Sequence, residues 1–364
     1  MTLYCSSFVG GNNMTYDLEH EPKTFGDWAY IAVTTHYNKF LSHEIGVLED
    51  KDPEELHQMR VGMRRLRSTI KGFSAALDLP ENAEEKKVGK IAKTLGKLRD
   101  LDVLEDSLKN KYYPNLPKDE QKQLKQGLSS LAKQRKKVFK TVKKTLNSQK
   151  YLDLKQSFHD WLNSPTYHDI AQVSIHTILA DLLLPEVSQL MLHPGWVIGV
   201  KFEVESINFP ESLSKEAVES LLDKEGLILH DLRKAAKRTR YNMELFTQFY
   251  GEVYETYLKD IKQIQSILGD IQDSFVLVEF LDEVFEDNIL NKMPTFAKIL
   301  QETRYDKWQE WEKLQRKFLD NKTRKDFHIT ILQPSVIQSE IEESQENSKK
   351  AVETAPSSDI ASNS

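Results

Sequence analysis

The sequence predicts an all-α protein built from a duplicated helical unit, and three observations predict it. Of 364 residues 29% are charged and 39% hydrophobic, with only 14 Gly and 12 Pro, a balance that suits amphipathic helices better than strands joined by tight turns. Apolar residues recur at helical spacing over most of the chain. Shifting the sequence against itself by 173 residues aligns 57–104 with 230–277 without a gap, and 12 of the 48 positions are identical. A chain this long holds one large core or two of ordinary domain size, and the repeat favours two.

Residues 1–24 read as an irregular arm. A first helix is expected from Phe25 to Leu48, where Trp28, Ile31, Val33, Tyr37 and Leu41 fall at helical spacing. The second has a clear start, with Asp52 as N-cap, Pro53 at the first position and Glu54 and Glu55 in the first turn. It is expected to run to about Leu77, ahead of Pro80. A third helix fits 83–110, closed by Pro114 and Pro117, and the Lys-rich segment 118–147 makes a fourth. A short amphipathic piece, Leu152 to Leu162, ends at Asn163-Ser164-Pro165. That break divides a first bundle, 25–163, from a second, 164–330.

The second unit opens on an apolar helix from Ile170 to Leu192. His193-Pro194-Gly195 follows, then a β-branched stretch from Trp196 to Phe209 that is assigned to no element. Helical periodicity resumes at about Leu213 and continues, with breaks, to about Leu319. Residues 331–364 are rich in Ser and Glu and too poor in apolar surface to order themselves, so a disordered tail is expected.

The formal net charge of -6 hides a strong asymmetry. Between His57 and Lys150 there are 24 Lys or Arg against 10 Asp or Glu, an excess of +14, which leaves -20 for the remainder. Such a local field captures a polyanion even on an acidic protein. Cys5 is the only cysteine, so an intramolecular disulfide and a multi-cysteine metal site are excluded and a reducing compartment is expected. Met1 to Pro22 has no signal-peptide pattern, and no later stretch is read as approaching the roughly 18 to 20 apolar residues that span a bilayer. A cytoplasmic protein without a membrane partner is the expectation.

His57, Arg60, Arg64, Arg67 and Lys71 lie within a stripe roughly 80° wide on a helical wheel, while Met59, Met63, Leu66, Ile70 and Phe73 lie on another face. The apolar stripe builds the core and leaves a rail of like charges that calls for a counter-anion. The repeat carries the same rail as His230, Arg233, Lys237 and Arg240, with Glu244 in the place of Lys71. Lys86, Lys90, Lys93 and Lys97 form a further stripe on the third helix, and Lys133, Arg135, Lys136, Lys137, Lys140, Lys143 and Lys144 crowd the fourth. Because the counterparts in the second unit are mostly neutral or acidic, a polyanion should lean towards the first.

The string His57-Gln-Met-Arg-Val-Gly-Met-Arg-Arg-Leu-Arg67, with Leu95-Gly-Lys-Leu-Arg-Asp-Leu-Asp-Val103 downstream, resembles the first half of a CHAD (conserved histidine α-helical) domain. His230-Asp-Leu-Arg-Lys-Ala-Ala-Lys-Arg-Thr-Arg-Tyr241 resembles its second half. The resemblance implies two four-helix bundles related by a pseudo-twofold, with the rails facing a basic groove or pore that holds inorganic polyphosphate. The binding residues it implies are His57, Arg60, Arg64 and Arg67, and His230, Arg233, Lys237 and Arg240. Lys71 extends the first rail, and Lys90, Lys93, Lys97 and Arg135 are added by the direction they are expected to face. Arg supplies paired planar donors to phosphoryl oxygens, Lys a point charge, and His a donor that gains charge when protonated.

Relatives often follow a triphosphate-tunnel (CYTH) catalytic domain. The arm before Phe25 is too short for one, and Glu203-Val-Glu205-Ser-Ile207 lacks the Lys of the Glu-x-Glu-x-Lys motif, so no catalysis and no cofactor are expected. The Leu-Gly-x-Leu-x-Asp motif reads as structural, its Gly permitting close packing and its Asp pairing with an Arg of the preceding helix. A metal held by His57 and His230 is disfavoured by the surrounding arginines. Nucleic acid competes for the same charge, but no aromatics interleave with the rail to stack bases. A protein partner stays open beside polyphosphate, as does association with polyphosphate granules.

Overall fold

The computed structural model describes residues 21–203, 206–209 and 212–335. The expected arm up to residue 20, the expected tail from 336 and the centre of the Glu203–Ile207 segment lie outside the described residues.

Thr24 opens α1 (Phe25–Ser42) with a capping box, its Oγ1 accepting the Asp27 N–H at 3.1 Å while the Asp27 carboxylate accepts the Thr24 N–H at 2.9 Å. After the short α2 (Glu44–Glu49), α3 (Pro53–Gly72) begins as the sequence predicts: the Asp52 carboxylate accepts the Glu54 N–H at 2.8 Å and Pro53 takes the first position. This helix stops at Gly72 and not at Leu77. The chain turns so that Leu77 bridges Tyr167 and the Ala76 carbonyl accepts the His168 N–H at 3.0 Å. Then come α4 (Glu85–Asp106), continued by a π-helical turn over Ser107–Tyr112, α5 (Lys118–Leu146) and α6 (Gln149–Asn163).

The second unit repeats the order with α7 (Ile175–Met191), α8 (Lys215–Leu245), α9 (Glu252–Phe285), the short α10 (Ile289–Lys292), α11 (Pro294–Leu319) and α12 (Asn321–Leu332). Each unit is thus four long helices followed by a shorter fifth, and α12 extends into the segment expected to be tail. The stretch left unassigned contains a small antiparallel hairpin, β1 (Lys201–Glu203) and β2 (Ser206–Asn208), with Phe202 opposite Ile207.

Residues that match under the 173-residue shift also touch across the molecule, which happens only near a symmetry axis. Phe73 and Phe246 are such a pair, with ring centroids 5.3 Å apart, and a Cβ on Gly72 would stand 2.8 Å from the Leu245 side chain. The pseudo-twofold therefore passes between α3 and α8, the two rail helices. The main apolar core runs across it, joining Met63 and Leu66 of the first unit to Leu232 and Ala236 of the second. A second core cluster likewise mixes the units, with Leu124 and Leu131 against Leu281 and Phe296.

One sequence expectation fails here. The stretch Ile175–Val197, mean hydropathy 1.3, is by length and composition apolar enough to cross a membrane. In the fold its helix α7 packs on α8 and α12 and buries Leu179, Leu183, Val187 and Leu190.

Candidate functional site

The rail of α3 is held open by glycines on the neighbouring helix. Arg60 lies across Gly96 of α4, where an added Cβ would meet its Nε at 3.4 Å, and its Nη2 stands 3.6 Å from Asp100. The repeat does the same: Arg233 lies across Gly269 of α9, with 3.1 Å to an added Cβ and 3.9 Å to Asp273. Both Asp residues of the repeated motif pair with the preceding helix as expected. The glycine makes room for an arginine side chain and not for a closer backbone.

Between α3, α4 and α8 lies a cleft of about 1170 Å³. Arg60, Arg64, Arg67 and Lys71 come to it from α3, Lys90, Lys93 and Lys97 from α4, and Lys237 from α8. Sequence reasoning about the site missed several others, namely Ser68, Lys86, Lys87, Lys234, Arg238, Tyr241 and Asn242. Lys86 was visible as the first member of its stripe, and Arg238 as an identity of the repeat; Lys234 and Asn242 carry no such signal. In all, twelve cations face Glu84, Glu85 and Asp100, a strong local excess of positive charge.

The charges differ in how they are satisfied. Arg67 donates to Glu85 through Nε at 2.7 Å, and Lys71 pairs at 3.0 Å with Glu186 of α7, which also accepts from Arg238 at 2.6 Å. The middle of the rail has no such partner among the described residues. The Arg64 Nε is buried without an acceptor, and burial holds the pKa of this guanidinium below its usual value. Burial, together with Arg60, Arg64, Arg233 and Arg240, pulls the Lys237 amine down to about 8. Arg64 and Arg240 each place their guanidinium carbon 4.6 Å from the centre of the Tyr241 ring. That ring is only 8% exposed, so it is not offered to a nucleobase, while its hydroxyl is buried without a partner among the described residues.

His57, His230, Arg233 and Arg240 stand outside the lining of the cleft. Burial and, next, Arg99 hold the His57 pKa below its usual value, and burial with Lys234 and Arg233 does the same to His230; both rings are therefore neutral near pH 7. Arg135 is a correction. It faces inward, where its guanidinium grips Asp50 at 2.7 and 2.8 Å and Asp102 at 2.6 Å. These are the partners that draw it away from any polyanion. Among the described residues no cluster of His, Cys, Asp and Glu is placed to hold a metal ion.

A duplicated helical fold whose two rail helices meet at a pseudo-twofold beside a cationic cleft defines a class of all-α repeat proteins. The model of the CHAD domain matches residues 31–282, and the chain belongs to that family. Among solved structures, the CHAD domain of the plant Ricinus communis is 22% identical with a TM-score of 0.54, over 85% of this chain and 92% of that one. PptA from Streptomyces chartreusis is 14% identical with a TM-score of 0.52, over 82% and 98%. At these identities the likeness shows the shared fold. No curated protein matches the chain.

Proposed function

We propose that this protein binds inorganic polyphosphate in the cleft between α3, α4 and α8 and leaves it chemically unchanged. The observation that carries the reading is the uncompensated middle of the rail, where Arg64, Lys93, Lys97 and Lys237 line one hollow and none of them has an ion pair among the described residues. A linear polymer with one charge per phosphate supplies what these groups lack. Arginine forks and lysine point charges both suit phosphoryl oxygens. Membership of a family associated with this polymer supports the choice of ligand.

The test is calorimetric titration with long-chain polyphosphate and with DNA of matched phosphate content, for the protein and for the variant Arg64→Ala/Lys93→Ala/Lys97→Ala. Polyphosphate should bind tightly at ~0.2 M salt and outcompete DNA, and the variant should bind it about 100- to 1000-fold more weakly with a shallower salt dependence. Equal or tighter DNA binding would move the assignment to nucleic acid. Release of orthophosphate during a long incubation would show catalysis and overturn the non-enzymatic reading.

A further inference from the structure

The fourth helix carries cations that the cleft does not use. From Gln121 to Lys150 there is no acidic residue and there are ten Lys or Arg. Only Arg135 among them is turned inward to carboxylates. Lys133, Lys137, Lys140 and Lys144 are exposed and carry no ion pair among the described residues. They repeat the i, i+4, i+7, i+11 spacing of the α3 rail and of the lysine stripe on α4. Such a spacing makes a straight line of charge about 16 Å long on one side of a helix.

A solvated helix face is the plain alternative, and the molecule contains its own control. The helix in the same place in the second unit, α11, interleaves Lys298, Lys307 and Lys313 with Glu302, Glu310 and Glu312. A soluble surface at this position is thus met with mixed charge, which avoids the repulsion of like charges three and four residues apart. The helix dipole accounts for lysines in the last turn of α5. It does not account for Lys133, Lys137 and Lys140 further back.

We propose that the lysine face of α5 is a second track for the polymer held in the cleft, so that a chain too long for the cleft continues along α5. This rests on the polyphosphate reading above. The face suits that ligand better than other polyanions. Lysines follow a flexible chain as mobile point charges, whereas outward-facing aromatic groups for stacking bases are absent from it. Large apolar side chains that would sink into a bilayer are also missing from its exposed positions. Helix α4, which bears the cleft lysines, packs directly against α5, so the two tracks lie on neighbouring helices.

The experiment compares tripolyphosphate with long-chain polyphosphate on the full chain and on Lys133→Gln/Lys137→Gln/Lys140→Gln/Lys144→Gln. The variant should bind the long chain about 10-fold more weakly, with the slope of log K against log salt reduced by about 3, and tripolyphosphate unchanged. Arginine at the same four positions should restore long-chain binding. Unchanged long-chain binding overturns the second track, and so does an equal loss for both ligands. So does a variant that keeps long-chain binding but loses binding to DNA or to anionic phosphatidylserine vesicles. If the unaltered protein binds neither phosphate, the polyphosphate reading itself has failed, a result distinct from failure of the track alone.

Discussion

Lys237 sits where a cation is costly and useful at once. With its amine lowered to about 8 in the fold and near 10.5 in the unfolded chain, the unfolded state binds more protons between those values. The penalty on the fold is therefore full below pH 8 and disappears as pH rises to 10.5. Discounted for partial exposure, it amounts to about 1–3 kcal/mol. Lys237→Met should accordingly raise the melting temperature at pH 7, with a gain that vanishes above pH 10, while weakening polyphosphate binding. A bound anion should return the amine to its charged form. Titrations near pH 8.5 in buffers of different ionisation enthalpy should show proton uptake, absent in Lys237→Arg. The two histidines behave in the same direction: burial and neighbouring cations lower their pKa values, and an anion that reduces the local field would raise them again.

At the scale of elements, α5 is fastened to the first unit by the grip of Arg135 on Asp50 and Asp102. The carboxyl of Asp102 is raised by burial, against the pull of Arg135, so losing the guanidinium strands a buried acid. Arg135→Ala should cost roughly 3 kcal/mol in denaturant unfolding, yet leave polyphosphate affinity of the folded protein within about twofold. A large, selective loss of affinity would return Arg135 to the site. This residue also marks where the sequence stops being informative. Spacing alone showed the rails, because a helical stripe is a local property, and composition showed the helices, with four boundaries set by proline or a capping residue. What a side chain pairs with is not local: Asp50 stands 85 positions from Arg135. The end of α3 at Gly72 depends on a bridge to Tyr167, the hairpin at 201–208 on short strands without a strong pattern, and the burial of Tyr241 on two guanidiniums from different helices.

For the whole molecule, the apolar core does not respect the boundary near Asn163. Met63 and Leu66 pack into the same cluster as Leu232 and Ala236, and Leu131 into the same cluster as Phe296. Two sequence repeats are joined by one interior. We predict a single unfolding transition, coincident by far-ultraviolet circular dichroism and tryptophan fluorescence, and a calorimetric enthalpy equal to the van't Hoff value. Two resolved transitions would show that the units are separately stable. The charge map divides where the core does not, with +14 over 57–150 against -20 elsewhere, so a polyanion should approach from the basic side, with an association rate that falls as salt screens that attraction.

The divergence of the two lysine stripes has a consequence for the history of the protein. Where α4 presents Lys86, Lys90, Lys93 and Lys97, the matching positions on α9 hold Lys259, Gln263, Ser266 and Asp270. A freshly doubled gene would have encoded two interchangeable channels, facing each other across the dyad. The charges of the two copies have since parted, while the glycine and aspartate that seat the arginine stand in both. The duplicate now serves as scaffold to its sibling: it supplies Lys237 and Tyr241 to a channel on the other side of the axis, and neither half of the ancestral pair can be discarded without undoing the other.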